Sequence, residues 1–236
     1  FDSEDSEDSN DKNNIITENI KNDGFYVSYT VSDMISENVT DIVGTAIPIF
    51  YEYKKTKKIP IKRYIEQNLS TKPFNSNNIY TNIRNRYKRI KNLKKLQSTD
   101  MFELVSIHLA LSNNLIHKLN QINNYNFMNS TMIKNCFKRF DNHLNSNPDF
   151  EVYREHVIEI EMEGFDTPIK RTINGYIDCI DDETVWEFKT VQNLSKIHML
   201  QLAIYAFLYY ENMDETKSFR LLNINDGEKY ELIGDK

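Results

Sequence analysis

The residues best suited to chemistry fall in one short stretch, residues 174–190, which reads NGYIDCIDDETVWEFKT. Two apolar segments joined by the acidic run Asp181-Asp182-Glu183 have the pattern of a strand, a tight turn and a second strand. Period-two alternation puts Tyr176, Asp178 and Ile180 on one face of the first strand, and Val185, Glu187 and Lys189 on one face of the second. Apolar neighbours on either side of these polar residues imply a sheet covered on both faces, where a carboxylate or an ammonium needs a partner. A divalent cation is one such partner. Asp178 and Glu187 offer it two hard oxygen ligands, and a backbone carbonyl such as that of Phe188 completes an octahedron together with several waters. Lys189, two residues beyond Glu187, would then hold or polarise the attacking water. The same residues also suit a structural Asp/Glu/Lys salt-bridge cluster, and a Glu-x-Lys triplet alone does not separate the two readings.

The elements that must position these groups follow from periodicity. Residues 195–211 have a helical pattern, with Leu200, Ala203, Ile204, Phe207 and Leu208 as an apolar face and with Gln201 and Tyr205 four apart on another. Upstream, residues 41–57 read as an apolar helix started or interrupted near Gly44 and Pro48. Ser98-Thr99-Asp100 can cap a helix over residues 101–122, in which Leu104, Ile107, Leu111, Ile116 and Leu119 recur at helical intervals. A shorter helix is expected over residues 130–144. From Phe150 onward, segments rich in Val, Ile, Tyr and Phe are broken by Glu163-Gly164, by the acidic run above and by Asp226-Gly227. The order is a helical half, three strands, one helix and a final hairpin, which predicts an α+β fold with a central mixed sheet flanked by helices. The chain divides accordingly into an acidic segment at 1–14, a helical region with a basic stretch at 15–149, and a core at 150–236.

A chain of 236 residues suits one generous domain, and only 6 Gly and 5 Pro exclude a collagen-like or linker-like character. No apolar run is long enough for a membrane helix, and residues 1–14 lack the order of a signal peptide, so neither secretion nor membrane attachment is expected. Two cysteines, Cys136 and Cys179, are too few for a disulfide framework or a four-thiolate metal site, which points to a reducing, intracellular setting: cytoplasm, nucleus or viral factory. The net charge of −6 is unevenly spread. Six acids against one lysine fill residues 1–14, an opening that reads as disordered, whereas residues 51–100 hold fourteen of the 29 basic residues and only three acids. The densest pieces, KKTKKIPIKR and RNRYKRIKNLKK, suit a surface that tracks phosphates. The candidate DNA contacts are Lys54, Lys55, Lys57, Lys58, Lys62, Arg63, Arg84, Arg86, Lys88 and Arg89, and a solvated helix face is the plainer alternative.

Gly175-x-x-Asp178, Glu187-x-Lys189 and Gln201-x-x-x-Tyr205, in this order, resemble the signature of the PD-(D/E)XK nuclease superfamily, most closely its RecB-like branch with the CRISPR-associated adaptation nucleases. The resemblance covers residues 150–232 and implies a restriction-endonuclease-like fold. It also implies a metal-dependent deoxyribonuclease, of exonuclease type, in which the carboxylates bind Mg²⁺ or Mn²⁺, the lysine assists the water, and Gln201 and Tyr205 organise the site and the DNA strand. The segment at 219–233 is similar to the strand-turn-strand that follows the family's Gln/Tyr helix, and the helical insertion is similar to versions in giant DNA viruses. Many RecB-like members carry Gly-x-x-x-His on an upstream helix, where this chain has Pro48 after Gly44. Glu52, one turn on, or Glu155 would supply the further oxygen ligand. His198, on the Gln201 face, is a candidate DNA contact; His108 and His117 are read as helix-face residues. With two cysteines in place of four, no iron–sulfur cluster is expected. The alternative to an enzyme is a catalytically weak nuclease-fold module that binds DNA and acts with a helicase, and oligomers are compatible with either.

Overall fold

A computed structural model describes residues 28–32, 35–71, 79–122, 124–145, 148–160, 168–191, 193–213 and 215–233. The acidic opening and Glu163-Gly164 lie outside these residues. The architecture is α+β, with a five-stranded mixed sheet and six α-helices among the described residues. A short antiparallel hairpin, β1 (Ser28–Ser32) and β2 (Ile35–Asn38), precedes the helices of the region expected to be helical. Five helices follow: α1 (Thr40–Thr56), α2 (Lys62–Thr71), α3 (Ile79–Lys91), α4 (Ser98–Ser112) and, after a 3-10 turn at Ile116–Asn120, α5 (Ser130–His143). The sheet is built from β3 (Asp149–Ile160), β4 (Ile169–Ile180), β5 (Thr184–Lys189), β6 (Ser218–Asn223) and β7 (Lys229–Leu232), with α6 (Lys196–Tyr210) between β5 and β6. Strands pair in sequence order, antiparallel except for the β5–β6 pair that α6 connects. No described helix is long and apolar enough to cross a membrane.

The sheet separates two apolar clusters. Trp186, Phe188, Cys179 and Leu222 pack against the helical layer, where Phe140 meets Phe188 edge-on at 4.9 Å between centroids. Ile177, Val185 and Leu221 pack instead against Leu202, Ala206 and Tyr209 of α6. β5 thus alternates strictly, with Trp186 and Phe188 on the helical side and Val185 on the other. Asp181 pins the β4–β5 turn: it accepts the Glu183 and Thr184 N–H groups at 3.0 and 2.8 Å and the buried Trp186 indole N–H at 2.9 Å. Asp181 is therefore a structural staple, with the indole's large apolar surface sunk and its polar edge satisfied.

Several local expectations need correction. α1 runs unbroken through Gly44 and Pro48, although Pro48 deprives the Gly44 carbonyl of its i+4 donor. The cap of α4 is Gln97, whose N–H reaches Asp100 at 2.8 Å, and this helix stops at Ser112, with Asn114 at φ 56°. Ile116 and Leu119 are buried from the 3-10 turn instead. The buried stripe of α6 is Leu202, Ala206, Leu208 and Tyr209, whereas Leu200, Ile204 and Phe207 are exposed.

Part of the basic stretch also turns inward. Arg84 is buried and its guanidinium donates to the Leu69 carbonyl at 2.7 Å, so it joins α3 to α2 and has no surface for DNA. Arg86 is held by the buried Glu103 at 2.7 Å and by Tyr125; Arg89 bonds the other Glu103 oxygen. Those two guanidiniums are partners of one buried carboxylate, which needs them. Lys55 pairs with Asp141 at 2.8 Å, and Lys54 lies over the Phe50 ring. Lys58, Arg63 and Lys88 are exposed.

Candidate active site

Asp178 sits near the end of β4, and Glu187 and Lys189 two residues apart on β5. β5 carries Glu187 to the side opposite Trp186 and Phe188, where it is 1% exposed. Its Oε1 receives the Lys189 ammonium at 2.5 Å, and Lys189 also donates to the Gln201 carbonyl oxygen at 2.8 Å. The Gln201 amide in turn donates to the Tyr205 hydroxyl at 3.1 Å. These bonds link β5 to α6 in a chain Glu187–Lys189–Gln201–Tyr205. Tyr205 fits because Gly175 has no side chain: a Cβ there would stand 2.8 Å from the tyrosine ring. The Gly175-x-x-Asp178 spacing thus serves packing at its first residue and the site at its last.

The period-two alternation expected from Tyr176 through Asp178 to Ile180 does not run unbroken along β4. Ile177 and Ile180, three apart, both pack on the α6 side, while Cys179 packs on the helical side. The alternation breaks at Asp178 and, across the ladder, at Glu151, the β3 residue bracketed by the Phe150–Cys179 and Val152–Ile177 pairs. Glu151 has φ 55°, the left-handed region that non-glycine residues rarely occupy. The irregularity lets Asp178 turn its Oδ2 to the Phe188 N–H, 2.7 Å away, and so approach Glu187.

The carboxylates are crowded and short of water. Desolvation raises the Asp178 pKa against the opposing pull of the Phe188 N–H and Lys189. Glu187 is raised by desolvation first and by the Asp178 charge second, with Lys189 opposing. Glu151 is pushed up to about 7 by burial and by the charges of Asp178 and Glu52. Glu52 on α1 is raised by burial and by Asp149. Glu52 thus raises Glu151, and Asp178 raises both Glu151 and Glu187, so each of these carboxyls favours its protonated form. Burial also holds the Tyr205 phenol up to about 12, protonated at neutral pH.

Asp178, Glu187, Phe188, Lys189 and Gln201 open on a cavity of about 520 Å³ bounded also by the first turns of α1 (Thr40, Asp41, Gly44, Thr45), the end of α4 and Lys118. Gly44 lets α1 come close: a Cβ there would stand 2.8 Å from the Thr190 hydroxyl oxygen. A divalent ion fits this donor set. The buried Glu187 Oε2 meets no donor apart from the neighbouring Asp178 carboxyl, with which it can share a proton that a cation would replace. Among the described residues no group of three or more His, Cys, Asp and Glu is disposed to hold a metal. Two carboxylates with backbone oxygen and water suit Mg²⁺, which keeps several waters, better than a metal that demands a closed cage. The Phe188 ring is stacked toward Trp186, and the residue lines the cavity beside its neighbours.

The structure brings Asp178, Glu187, Lys189, Gln201 and Tyr205 together. It does not bring Glu155, which lies on the exposed face of β3 and accepts the Tyr153 hydroxyl at 2.7 Å; the neighbour of Asp178 is Glu151, which residue pattern alone does not single out. Glu52 has a buried, unpartnered Oε2, yet the charges that raise it and that it raises are those of Asp149 and Glu151. His198 is a cap: its Nδ1 accepts the Ser195 N–H at 3.0 Å and so completes the first turn of α6. His108, on α4, stacks edge-on with Tyr64, and His117 is exposed in the 3-10 turn. Cys136 and Cys179 are buried free thiols.

No protein-family model, curated protein or solved structure significantly matches this chain.

The raised carboxyls predict a pH dependence. A carboxyl whose folded pKa lies above its unfolded value of 4.5 binds its proton more tightly when folded, so its contribution to stability is complete below 4.5 and is lost as pH rises through the folded value. For Glu151 this window runs from 4.5 to about 7. Thermal melts without divalent ions should show the difference between wild type and Glu151→Gln growing in favour of the variant across that window and staying level above it. A difference independent of pH would mean that Glu151 is not held protonated.

Proposed function

We propose that the protein is a divalent-cation-dependent deoxyribonuclease, of the PD-(D/E)XK superfamily and its RecB-like branch, with a restriction-endonuclease-like core and exonuclease action. The observation that carries the reading is the hydrogen-bonded chain from Glu187 through Lys189 and Gln201 to Tyr205, beside Asp178, at the edge of one cavity. Asp178 and Glu187 are the residues that would hold Mg²⁺ or Mn²⁺, with the Phe188 carbonyl as a backbone donor. Such an ion acts as a Lewis acid on phosphoryl oxygen and offsets charge that develops on the leaving group. The protein's own part is positioning. Lys189 directs an ammonium proton at the atoms between Glu187 and Gln201, where it can orient water and stabilise a phosphorane-like oxygen. Gln201 fixes that ammonium through its carbonyl, and Tyr205 fixes Gln201.

A second reading, a catalytically weak nuclease-fold module that holds DNA for a helicase, is favoured by one observation: Lys189 is closed on Glu187 at 2.5 Å, as in a structural ion pair. The upstream histidine is also replaced by Pro48. The test is cleavage of end-labelled linear DNA and of covalently closed circular DNA by the full chain, with Mg²⁺, Mn²⁺ or chelator. Linear DNA should be degraded from an end with either ion, circular DNA should survive, and chelator should stop the reaction. No divalent-dependent cleavage of any DNA form would leave the binding module as the better reading.

A further inference from the structure

α1 and α4 run antiparallel, and a cavity lies at each end of the pair. The first turns of α1 and the end of α4 border the carboxylate cavity, whereas Tyr53 and Lys57 near the end of α1, with Leu96 and Leu104 near the start of α4, border a second one of about 280 Å³. Four lysines line this second cavity: Lys57 and Lys62 from the α1–α2 junction, Lys91 and Lys94 from the end of α3. The two basic segments of the sequence, some thirty residues apart, therefore meet here. Arg84, Arg86 and Arg89 of the second segment are held instead by the Leu69 carbonyl and Glu103. Lys57 stands at the C-cap of α1 in the left-handed conformation and donates to the Lys54 carbonyl at 3.1 Å. Among the described residues one acid pairs with the group: Glu66 meets Lys91 at 2.7 Å and accepts the Tyr87 hydroxyl at 2.9 Å.

Lys57, Lys62, Lys91 and Lys94 form a basic rim on this concavity, one of them offset by Glu66, over an apolar floor of Ile59, Ile90, Leu96 and Leu104. A low-dielectric cleft lined by one sign of charge concentrates the opposite sign. We propose that this cavity is a phosphate subsite that holds the backbone of a nucleic-acid strand at a distance from the carboxylate cavity. The anion site stands on its own lysines; that the same strand reaches the carboxylates rests on the nuclease reading. From Thr45 to Lys57, α1 advances about 18 Å at roughly 1.5 Å per residue. At about 3.4 Å per phosphate along a duplex strand, that is roughly five phosphate steps, and fewer in an extended single strand. A strand shorter than the span fills one cavity, and a longer one fills both.

The experiment measures binding of labelled oligothymidylates of four to twenty nucleotides in Ca²⁺, which offsets the carboxylates, over a range of monovalent salt concentration. It compares wild type with Lys57→Gln/Lys62→Gln/Lys91→Gln/Lys94→Gln and with a control, Lys134→Gln/Lys138→Gln, on exposed α5 positions. Wild type and control should gain affinity as length passes about five nucleotides. The quadruple variant should lose that step, and its dependence of log affinity on log salt should be shallower by about three, at roughly 0.7 for each phosphate no longer neutralised. Should that variant melt lower, Lys62→Gln/Lys94→Gln leaves the Lys91–Glu66 and Lys57–Lys54 contacts in place and should give about half the change in slope. The same step and slope in wild type and lysine variants would overturn the proposal, as would a cavity that binds inorganic triphosphate while no length step is found. If the step and the slope change are found but no divalent ion supports cleavage, the subsite stands and the nuclease reading falls.

Discussion

Asp178→Ala is expected to abolish Mn²⁺ binding and DNA cleavage while the protein remains folded. Asp178 borders both Glu187 and Glu151, so its loss removes half of the two-carboxylate set and leaves Glu187 closed on Lys189. A single carboxylate already closed on an ammonium is a poor site for a divalent ion. The structural loss is small by comparison. The variant frees the Phe188 N–H, which costs about 1 to 3 kcal/mol if it stays dry. Removing Asp178 also relieves the repulsion that raises Glu151 and Glu187, which works in the opposite direction. Melting should therefore move little, and without metal it should lose part of its decline with rising pH. Calorimetry of Mn²⁺ binding and a thermal melt on the same preparation give both numbers. Undiminished Mn²⁺ affinity would remove Asp178 from the metal site, whatever happens to cleavage.

What could be read before the structure was known depended on which physical signal each feature carries. The strands and helix of residues 150–236 were legible because apolar segments are separated there by turn chemistry, and Asp181 and Gly227 do sit in those turns. The inward face of α6 was not. Leu200, Ile204 and Phe207 repeat with the same period as Leu202, Ala206 and Tyr209, so the helix is apolar on two sides and periodicity cannot choose between them. Gln201 and Tyr205 were found because their spacing places them on one face whichever face is buried. Charge density located α2 and α3 as a basic region but said nothing of direction. Arg84 and Arg86 look like their neighbours in sequence and differ only in meeting the Leu69 carbonyl and Glu103. Glu151 was out of reach for another reason: it meets Asp178 through the β3–β4 register, and its left-handed backbone has no signature in residue type.

Lys189→Ala separates a catalytic lysine from a structural one, because the two roles respond differently to metal. The ammonium has two oxygen partners, Glu187 Oε1 and Gln201 Oε1, and is one-fifth exposed while Glu187 is almost fully buried. If the pair is only a salt bridge, the variant strands the Glu187 carboxylate, and stability falls by about 3 to 5 kcal/mol, or Glu187 takes up a proton to avoid it. A divalent ion changes this balance, since it supplies the positive charge that Lys189 supplied. In the catalytic reading the melting temperature of the variant falls in chelator and recovers in Mn²⁺, where Glu187 is again compensated. Cleavage does not recover: with metal and DNA bound, single-turnover hydrolysis should still be slower by a factor on the order of a hundred or more, the scale of losing one positioned acid–base or electrostatic group. Melts and single-turnover rates with and without Mn²⁺, across pH 6 to 9, resolve the alternatives. A variant that cleaves at the wild-type rate in Mn²⁺ yet melts low in chelator would reduce Lys189 to a counter-ion. One that melts as wild type in both conditions and fails only in the rate leaves water and the transition-state oxygen as the ammonium's working partners.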